Sequence, residues 1–373
     1  MIYFDNAATS FPKAPTLQAE LGALYAQIGV NPSRGHYGVS QELSKQIQEA
    51  RDQIANHFNV NSKGVIFSPS ATYSLNQIIS GLSYEKIKNV YISPFEHNAV
   101  LRPLYFLQKQ NHFRLSFLPF NGFKWDQDKT EKLFRLSPPN LIVCTHASNV
   151  FGNILPIKEI FELGKEYSSI TVLDCAQTAG LIPTDLQDLH ADFAAFAGHK
   201  TFYGPSGIGG LIINSSISLN PIVLGGTGIN SAEKEMPLDL PERFEAGSLN
   251  TLGILGLLLS TKWLNRQQDI VERKNELFHL LYDRLMNCFG IRIITEPSIP
   301  NVGIISCVWE SCSPTEVGMF LDRHEICVRT GMHCAPIAHE HMHTAPEGTV
   351  RFSLGVFNSK HEIESLSACL AGM

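Results

Sequence analysis

Short runs of apolar residues recur through the first two thirds of the chain. They are nearly continuous in Val, Ile, Leu and Phe, which is typical of strands buried on both faces of a mainly parallel sheet. These runs predict strands at 65–68, 89–93, 115–119, 141–145, 170–174, 193–197 and 208–213.

Helical patterns lie between these runs. The clearest covers residues 41–58, where apolar residues recur at spacings of three and four: Leu43, Ile47, Ala50, Ile54 and Phe58. Strands that alternate with helices indicate an α/β fold, and ligands in such sheets bind at the carboxyl ends of the strands.

The pattern changes after about residue 256. The leucine-rich segment 257–287 predicts one long helix, and short strands follow at 302–310, 326–330 and 350–355. Ser359 and Glu362 have capping-box spacing at the start of a closing helix. We therefore expect a large domain over 16–256 and a small C-terminal domain over 257–373, with residues 1–15 packed near the small one. The Pro- and Gly-rich stretch 225–247 is too long for a simple connection, and such loops are usually functional.

Composition restricts the class of protein. A chain of 373 residues with 44% hydrophobic and 17% charged residues has enough apolar material for a two-lobed globular protein. The net charge of -6 and the lack of a basic run argue against nucleic-acid binding. No apolar run is long enough to cross a membrane and no leader is recognisable, so we expect a cytoplasmic protein. The eight scattered cysteines indicate reduced thiols rather than a disulfide framework.

Lys200 is the first candidate for chemistry, because it follows a strand within AGHKTFYGPSG. A buried ammonium is costly unless its pKa falls or it reacts. A lysine that forms a Schiff base with an aldehyde cofactor meets that condition, and pyridoxal phosphate is the common partner. An ordinary solvated lysine at a strand end is the alternative.

Other polar residues follow neighbouring strands. Asp174 could accept the pyridinium N–H of such a cofactor or could only cap a helix, and Gln177 could donate to the phenolic oxygen or face a turn. Residues 69–72 lead into a helix whose free N–H groups could hold a phosphate, although a P-loop lysine is missing.

Two histidines have similar positions. His97 could stack on a pyridine ring and relay protons, because an imidazole titrates near neutrality, although a structural role is commoner. His146 and Asn149 follow another strand and could hold the cofactor oxygen or a substrate carboxylate.

Cys334 and Arg351 are candidates in the C-terminal part. Cys334 lies in the loop RTGMHCAP, where His333 and Arg329 provide an electropositive setting that favours a thiolate. Arg351 could clamp an amino-acid carboxylate. The cluster formed by His333, Cys334, His339, His341 and His343 could bind a metal, but the histidines alternate within one loop and we expect none.

Taken together, the motifs resemble those of a known family. YFDNAATS, SATYSLN, EHNA, THASNVFG, DCAQTAG, GHKTFYGPSGIG, RFEAGSLN and RTGMHCAP occur in this order. They are similar to the class V aminotransferase superfamily of fold-type I pyridoxal phosphate enzymes, and to its group II cysteine desulfurase and selenocysteine lyase branch. The resemblance covers essentially the whole chain and implies a mainly parallel seven-stranded sheet plus a smaller α+β domain.

The resemblance also implies roles for residues. Lys200 would form the Schiff base, Asp174 would meet the pyridine nitrogen, Gln177 the phenolic oxygen, and His97 would stack on the ring. The phosphate would be held by Ala71, Thr72 and His199, and in a homodimer by Thr227 of the neighbour. Asn149 and Arg351 would bind the substrate carboxylate, Asn31 and Arg34 would line the entrance, and Cys334 would take up sulfur. Ala197 stands where the family usually has Ser or Thr, which removes one phosphate contact.

The implied reaction converts L-cysteine to alanine with a persulfide on Cys334, and a sulfur-acceptor protein would receive the sulfur. L-selenocysteine is an equal candidate substrate. A C–S β-lyase, epimerase or aminotransferase on the same scaffold is an alternative, and a non-catalytic, cofactor-binding sulfur carrier is another.

Overall fold

The computed structural model describes residues 1–32, 37–229 and 232–372. Its helices are α1 (Pro15–Ile28), α2 (Gly38–Phe58), α3 (Ala71–Gly81), α4 (Asn98–Asn111), α5 (Gln127–Leu136), α6 (Ile157–Lys165), α7 (Thr251–Leu264), α8 (Ile270–Met286), α9 (Pro314–Arg323), α10 (Pro336–His341) and α11 (Lys360–Leu370). Its strands are β1 (Ile2–Tyr3), β2 (Val65–Ser68), β3 (Asn89–Ile92), β4 (Arg114–Phe117), β5 (Phe120–Asn121), β6 (Lys124–Trp125), β7 (Leu141–Thr145), β8 (Ile170–Asp174), β9 (Phe193–Ala197), β10 (Gly209–Ile213), β11 (Ile291–Ile293), β12 (Ile304–Trp309), β13 (Ile326–Cys327), β14 (Arg329–Gly331) and β15 (Thr349–Ser353).

A seven-stranded sheet forms the centre of the larger lobe, in the order β2-β10-β9-β8-β7-β3-β4. All seven predicted strands are in it, with small shifts at the ends of three. Of these seven strands, β10 alone runs in the direction opposite to the other six. Strands β7 and β9 are buried at every position, as the continuous apolar runs require. The prediction of an α/β fold with a mainly parallel sheet is confirmed.

The C-terminal part is built on a four-stranded antiparallel sheet, in the order β11-β12-β15-β14. Helices α8, α9 and α11 pack on it through a separate apolar core that includes Leu281, Ile305 and Phe352. Strand β1 pairs in parallel with β13, and Phe4 joins the same core. The predicted capping box of Ser359 and Glu362 is present at the start of α11.

The single helix predicted over 257–287 is wrong. The chain forms α7 and α8 with a break between them, where Asp269 has a left-handed φ of 57°. Helix α7 begins at Thr251, crosses the predicted domain boundary, and packs its leucines in the core of the large sheet, against α1 and α2. Leucine repeats on both sides of the break look like one helix because each half buries its own face. Among the described residues, no helix is long and apolar enough to cross a membrane.

Candidate active site

A cavity opens at the carboxyl ends of the parallel strands. It contains seven of the residues predicted for the site: Ala71, Thr72, His97, Asn149, Asp174, Gln177 and Lys200. They come from five different strand ends, which is where an α/β sheet binds its ligands. The sheet topology therefore brings together residues that lie far apart in the sequence.

The start of α3 provides hydrogen-bond donors at this cavity. The Ser70 hydroxyl caps the helix by accepting from the Tyr73 amide at 3.1 Å. The preceding amides, those of Ala71 and Thr72, have no acceptor within the described structure, and both residues line the cavity. Free N–H groups at a helix N-terminus form an anion site. Ala71 packs against Ala176 and Ala197, so small side chains leave room there.

Asp174 ends β8 and is buried. One of its carboxylate oxygens accepts the Ala176 amide at 2.9 Å, and the other has no hydrogen bond within the described structure. Burial raises the pKa of Asp174, while the Ala176 amide and the Lys200 ammonium act in the opposite direction. An oxygen left free at the cavity wall can accept from a cationic N–H of a bound ring.

Lys200 lies on the turn after β9 and points into the same cavity without an ion-pair partner among the described residues. Burial lowers its pKa to about 8, against the opposing effect of Asp174; Arg351 and Arg329 lower it further and Cys334 raises it. Near pH 8 a large fraction of the amine is therefore neutral, and a neutral amine can attack a carbonyl or accept a proton.

His97 is placed as predicted but does not titrate as predicted. Its Nδ1 accepts the Ala99 amide at 3.0 Å and so caps α4, which leaves the proton on Nε2. Burial lowers the pKa of His97 to about 4, and the nearby Lys200, Arg102 and Arg351 lower it as well. The ring is therefore a neutral imidazole at the cavity, and the expectation of a near-neutral pKa is wrong because it ignored burial.

Cys334 lies on the short turn between β14 and α10, and it is the one exposed cysteine of the eight, all of which fall in described positions. His333 and Cys334 both have left-handed backbone angles, with φ of 46° and 57°. The carbonyl of Cys334 accepts the Asn98 amide at 2.8 Å, and the Asn149 side chain donates to the His333 carbonyl at 2.7 Å. Two cavity segments thus hold the turn that carries the thiol.

Arg351 is 2% exposed and comes from β15 in the small sheet. Its guanidinium donates to the Asn149 carbonyl and to an Asp5 carboxylate oxygen, each at 2.7 Å. Its Nε is buried and has no partner among the described residues. Asp5 also accepts two nitrogens of Arg329, at 2.9–3.2 Å. One carboxylate therefore aligns two arginines at the edge of the site.

Two more of the singled-out side chains have partners within the protein, and a third has a ring nitrogen with no partner among the described residues. Gln177 lines the cavity and donates to the Ala7 carbonyl at 2.9 Å. The His199 Nδ1 lies 3.0 Å from the Thr9 hydroxyl, and His199 is not among the residues that line this cavity. His146 is buried outside the cavity lining, with Nδ1 unpartnered.

Asn31, expected at the entrance, and Thr227, expected at the phosphate of a neighbouring subunit, lie elsewhere. Asn31 and Thr227 line a larger groove on the outside of the lobe and do not line the cavity around Lys200. Arg34 lies outside the described residues. In this single chain the structure does not bring Asn31 or Thr227 into the cavity around Lys200.

Comparison with known proteins identifies the family. The aminotransferase class-V model matches residues 2–366. This chain belongs to that family. A probable cysteine desulfurase of Pyrococcus abyssi is 31% identical over 99% of this chain and 93% of its own length. One of Methanothermobacter thermautotrophicus is 30% identical, over 100% of this chain and 95% of its own.

Solved structures agree with this class V assignment. The apo cysteine desulfurase from Thermococcus onnurineus superposes with a TM-score of 0.93 and 29% identity, covering 100% of this chain and 94% of that one. The Escherichia coli cysteine desulfurase CsdA has a TM-score of 0.89 and 24% identity, with 99% and 93% covered. At that identity the second match supports the fold alone.

Three histidines around Cys334 lie within hydrogen-bond distance of neighbouring protein groups. His339 is fully buried, with Nδ1 2.7 Å from the Thr344 hydroxyl, and His341 Nε2 lies 2.8 Å from the Gly122 carbonyl. His333 Nε2 lies 3.1 Å from the Thr349 hydroxyl. No group of three or more metal-ligating side chains occurs within the described ranges.

Sequence reasoning missed Asp5 and Glu96. Asp5 stands in the N-terminal motif FDNAAT, and only its contact with Arg351 reveals its role. Glu96 precedes His97 and is fully buried between two strand ends. For Glu96, the available signal was its position directly before His97, a predicted site residue.

Proposed function

We propose that the protein is a pyridoxal phosphate-dependent cysteine desulfurase, which converts L-cysteine to L-alanine and takes the sulfur onto Cys334 as a persulfide. The observation that carries this proposal is the exposed thiol of Cys334 on a turn held against the cavity of Lys200. The names of the relatives support the same activity. Membership of the group II branch stays a prediction.

The cavity fits the cofactor. The unpaired amides of Ala71 and Thr72 would hold its phosphate, and the free oxygen of Asp174 would accept its ring N–H. The neutral His97 ring would lie against its face. Pyridoxal phosphate supplies an aldehyde for a lysine amine and a ring that withdraws electrons from the substrate.

Lys200 is the base of the proposed reaction. Its lowered pKa, about 8, makes the neutral amine available close to physiological pH. In that form it can take the proton from the α-carbon of the substrate and later return a proton. Asp174 keeps a negative charge close to it, which limits how far the pKa falls.

Arg351 and Asn149 would bind the substrate carboxylate. The unpartnered Nε of Arg351 offers a donor that no described protein group uses. Asp5 and the Asn149 carbonyl fix the guanidinium plane, so the arginine is oriented before substrate arrives.

The sulfur transfer takes place at Cys334. Its thiolate forms an S–S bond with the substrate sulfur while the Cβ–S bond breaks. The carbon keeps the electron pair and takes up a proton, which yields alanine, and Cys334 holds the sulfur as a persulfide. Arg329, which like Cys334 influences the pKa of Lys200, provides positive charge near the thiolate.

The test compares wild type with Cys334→Ala. Alanine and pyruvate are measured from L-cysteine, with pyridoxal phosphate and a thiol reductant present. We expect wild type to form alanine and sulfide, and the variant to lose at least 100-fold in rate because the nucleophile is missing. Cys312→Ala, which removes a partly buried thiol elsewhere, serves as the matched control.

Each alternative has its own outcome. Equal activity of wild type and Cys334→Ala would refute a role for the thiol. Pyruvate in place of alanine would identify a β-elimination and contradict the desulfurase assignment. A protein that stays colourless after addition of pyridoxal phosphate would contradict cofactor binding. L-Selenocysteine in the same assay tests whether selenium release depends less on Cys334.

Partners and location complete the proposal. We propose a cytoplasmic homodimer in which Thr227 approaches the cofactor phosphate of the neighbouring subunit, and a separate acceptor protein that removes sulfur from Cys334. The exposure of Cys334 supports the second point, because a persulfide must be reached by its acceptor.

A further inference from the structure

A second cavity adjoins Lys200 and contains another buried lysine. It is small and lies where the N-terminal segment, the large sheet and the small domain meet. Lys200, Tyr203, Lys274 and Ser353 are among its lining residues. The proposed reaction assigns no role to Lys274.

Lys274 is an unpaired cation inside the protein. It belongs to α8 and is only 7% exposed. Neither a carboxylate nor any other acceptor bonds to its Nζ within the described structure. Burial alone lowers its pKa to about 8, so the amine remains mostly protonated at pH 7. Buried charges in proteins are normally paired.

The fold makes room for this side chain. Gly303 has a left-handed φ of 86°, and a Cβ at that position would lie 2.9 Å from Lys274 Cε and 3.5 Å from Nζ. Any other residue there would therefore push the ammonium aside. The space that the lysine head group occupies therefore depends on a glycine in a different part of the chain.

A second donor lines the same cavity. The Tyr203 side chain is 3% exposed, and its oxygen accepts the Val356 amide at 2.8 Å. Its own O–H has no acceptor among the described residues. Ser353 is already committed, since its hydroxyl donates to the Phe4 carbonyl. The cavity thus offers an ammonium and a hydroxyl as unused donors.

We propose that this cavity binds a small monovalent anion of the halide class, with the Lys274 ammonium and the Tyr203 hydroxyl as its donors. A halide matches one positive charge and needs only a few donors, whereas Arg351 is the better partner for the substrate carboxylate. This inference does not depend on the proposed desulfurase activity.

Bromide is the probe for the test, because it scatters anomalously. Crystals of the cofactor-loaded protein are soaked in sodium bromide, and we expect an anomalous peak in the cavity beside Lys274. The peak should vanish in Lys274→Met, which keeps the length of the side chain but not its charge. Lys360→Met removes an exposed lysine and should keep the peak.

A solution measurement accompanies the crystals. The melting temperature of wild type should rise with the logarithm of bromide concentration at constant ionic strength, and that of Lys274→Met should not. Tyr203→Phe keeps the charge and should need at least threefold more bromide for the same rise. It also covers the case in which Lys274→Met does not fold.

Two results would overturn the proposal. One is a cavity that shows water and no anomalous peak at saturating bromide. The other is a peak, or a bromide-dependent melting temperature, that stays the same in Lys274→Met or in Tyr203→Phe. Neither result depends on alanine formation, so the proposed anion site and the proposed desulfurase activity can be refuted independently.

Discussion

At the scale of single residues, the site depends on one carboxylate that the reaction itself does not use. Asp5 accepts from both Arg329 and Arg351 and lies at the junction of the N-terminal segment and β15. A buried guanidinium without its anion is strongly unfavourable. Asp5 therefore stabilises the fold and orients the proposed carboxylate clamp together.

Replacing Asp5 by Asn tests this role. The variant keeps one oxygen but loses the charge that compensates Arg351, so we expect the free energy of unfolding to fall by about 3 kcal/mol. Denaturant unfolding followed by circular dichroism measures the change. Asp283→Asn, at an exposed position of α8, is the control and should change stability by less than about 0.5 kcal/mol. A loss in Asp5→Asn no larger than in the control would contradict the argument.

Sequence reasoning identified the cavity residues because each follows a strand, and strand ends meet in a parallel sheet. It did not identify Asp5 or Lys274. The contact between Asp5 and Arg351 joins residues 346 positions apart. Lys274 lies in an amphipathic helix, where a lysine is normally read as solvent-facing. Its burial depends on Gly303, in a different element, and no local pattern contains that information.

At the scale of elements, the strand ends are held in place by a buried glutamate. One carboxylate oxygen of Glu96 accepts from the Ser93 hydroxyl and, at 2.7 Å, from the Thr145 amide. The side chain thus connects the end of β3 to the end of β7, and both segments carry cavity residues. Its other oxygen is buried and has no partner in the part of the chain that the structure describes, which favours the protonated form.

This carboxyl gives the protein a pH-dependent stability. Burial raises the pKa of Glu96 from 4.5 to about 8. Between these values the folded protein binds a proton that the unfolded chain does not, so stability falls as pH rises. Glu96→Gln cannot titrate and keeps one acceptor oxygen. From pH 5 to pH 7, wild type should lose about 2 kcal/mol relative to this variant.

Denaturant unfolding of both proteins across this pH range provides the measurement. Glu85→Gln, at an exposed position, is the control and should follow wild type at each pH. Parallel stability profiles for wild type and Glu96→Gln would show that Glu96 is ionised in the folded protein. That result would contradict the inference that a protonated Glu96 connects the ends of β3 and β7.

Element boundaries show where sequence patterns succeed. Strands β7, β8 and β9 were predicted without error in their bounds, because burial on both faces leaves an uninterrupted apolar signal. The break between α7 and α8 was missed, because Asn265–Asp269 contains neither Gly nor Pro. That turn depends on the left-handed φ of Asp269. An aspartate can adopt this angle, but its presence in the sequence does not predict it.

At the scale of the whole molecule, one face of the large lobe has the character of a subunit interface. Val223 and Leu224, which directly precede the Pro- and Gly-rich stretch 225–247, are 43% and 70% exposed, and Leu238 within that stretch is 81% exposed. Thr227, which lines the outer groove together with Asn31, follows Leu224 by three residues in the chain. Clustered exposed apolar residues around a groove mark interaction sites in soluble proteins.

A single charged substitution tests whether this face is the interface of the proposed homodimer. Leu224→Asp puts a carboxylate where the partner would exclude water, so we expect the dimer dissociation constant to rise at least tenfold, or about 1.4 kcal/mol. Sedimentation equilibrium measures it, with 41.3 kDa as the mass of one chain. Leu136→Asp, at an 83% exposed leucine ending α5, is the control and should dimerise as wild type does. A monomeric wild type would refute the homodimer, and an equally stable Leu224→Asp dimer would place its interface on another face. Because Thr227 lies beside Leu224 in the chain, the variant should also release pyridoxal phosphate faster if the neighbouring subunit completes the phosphate site.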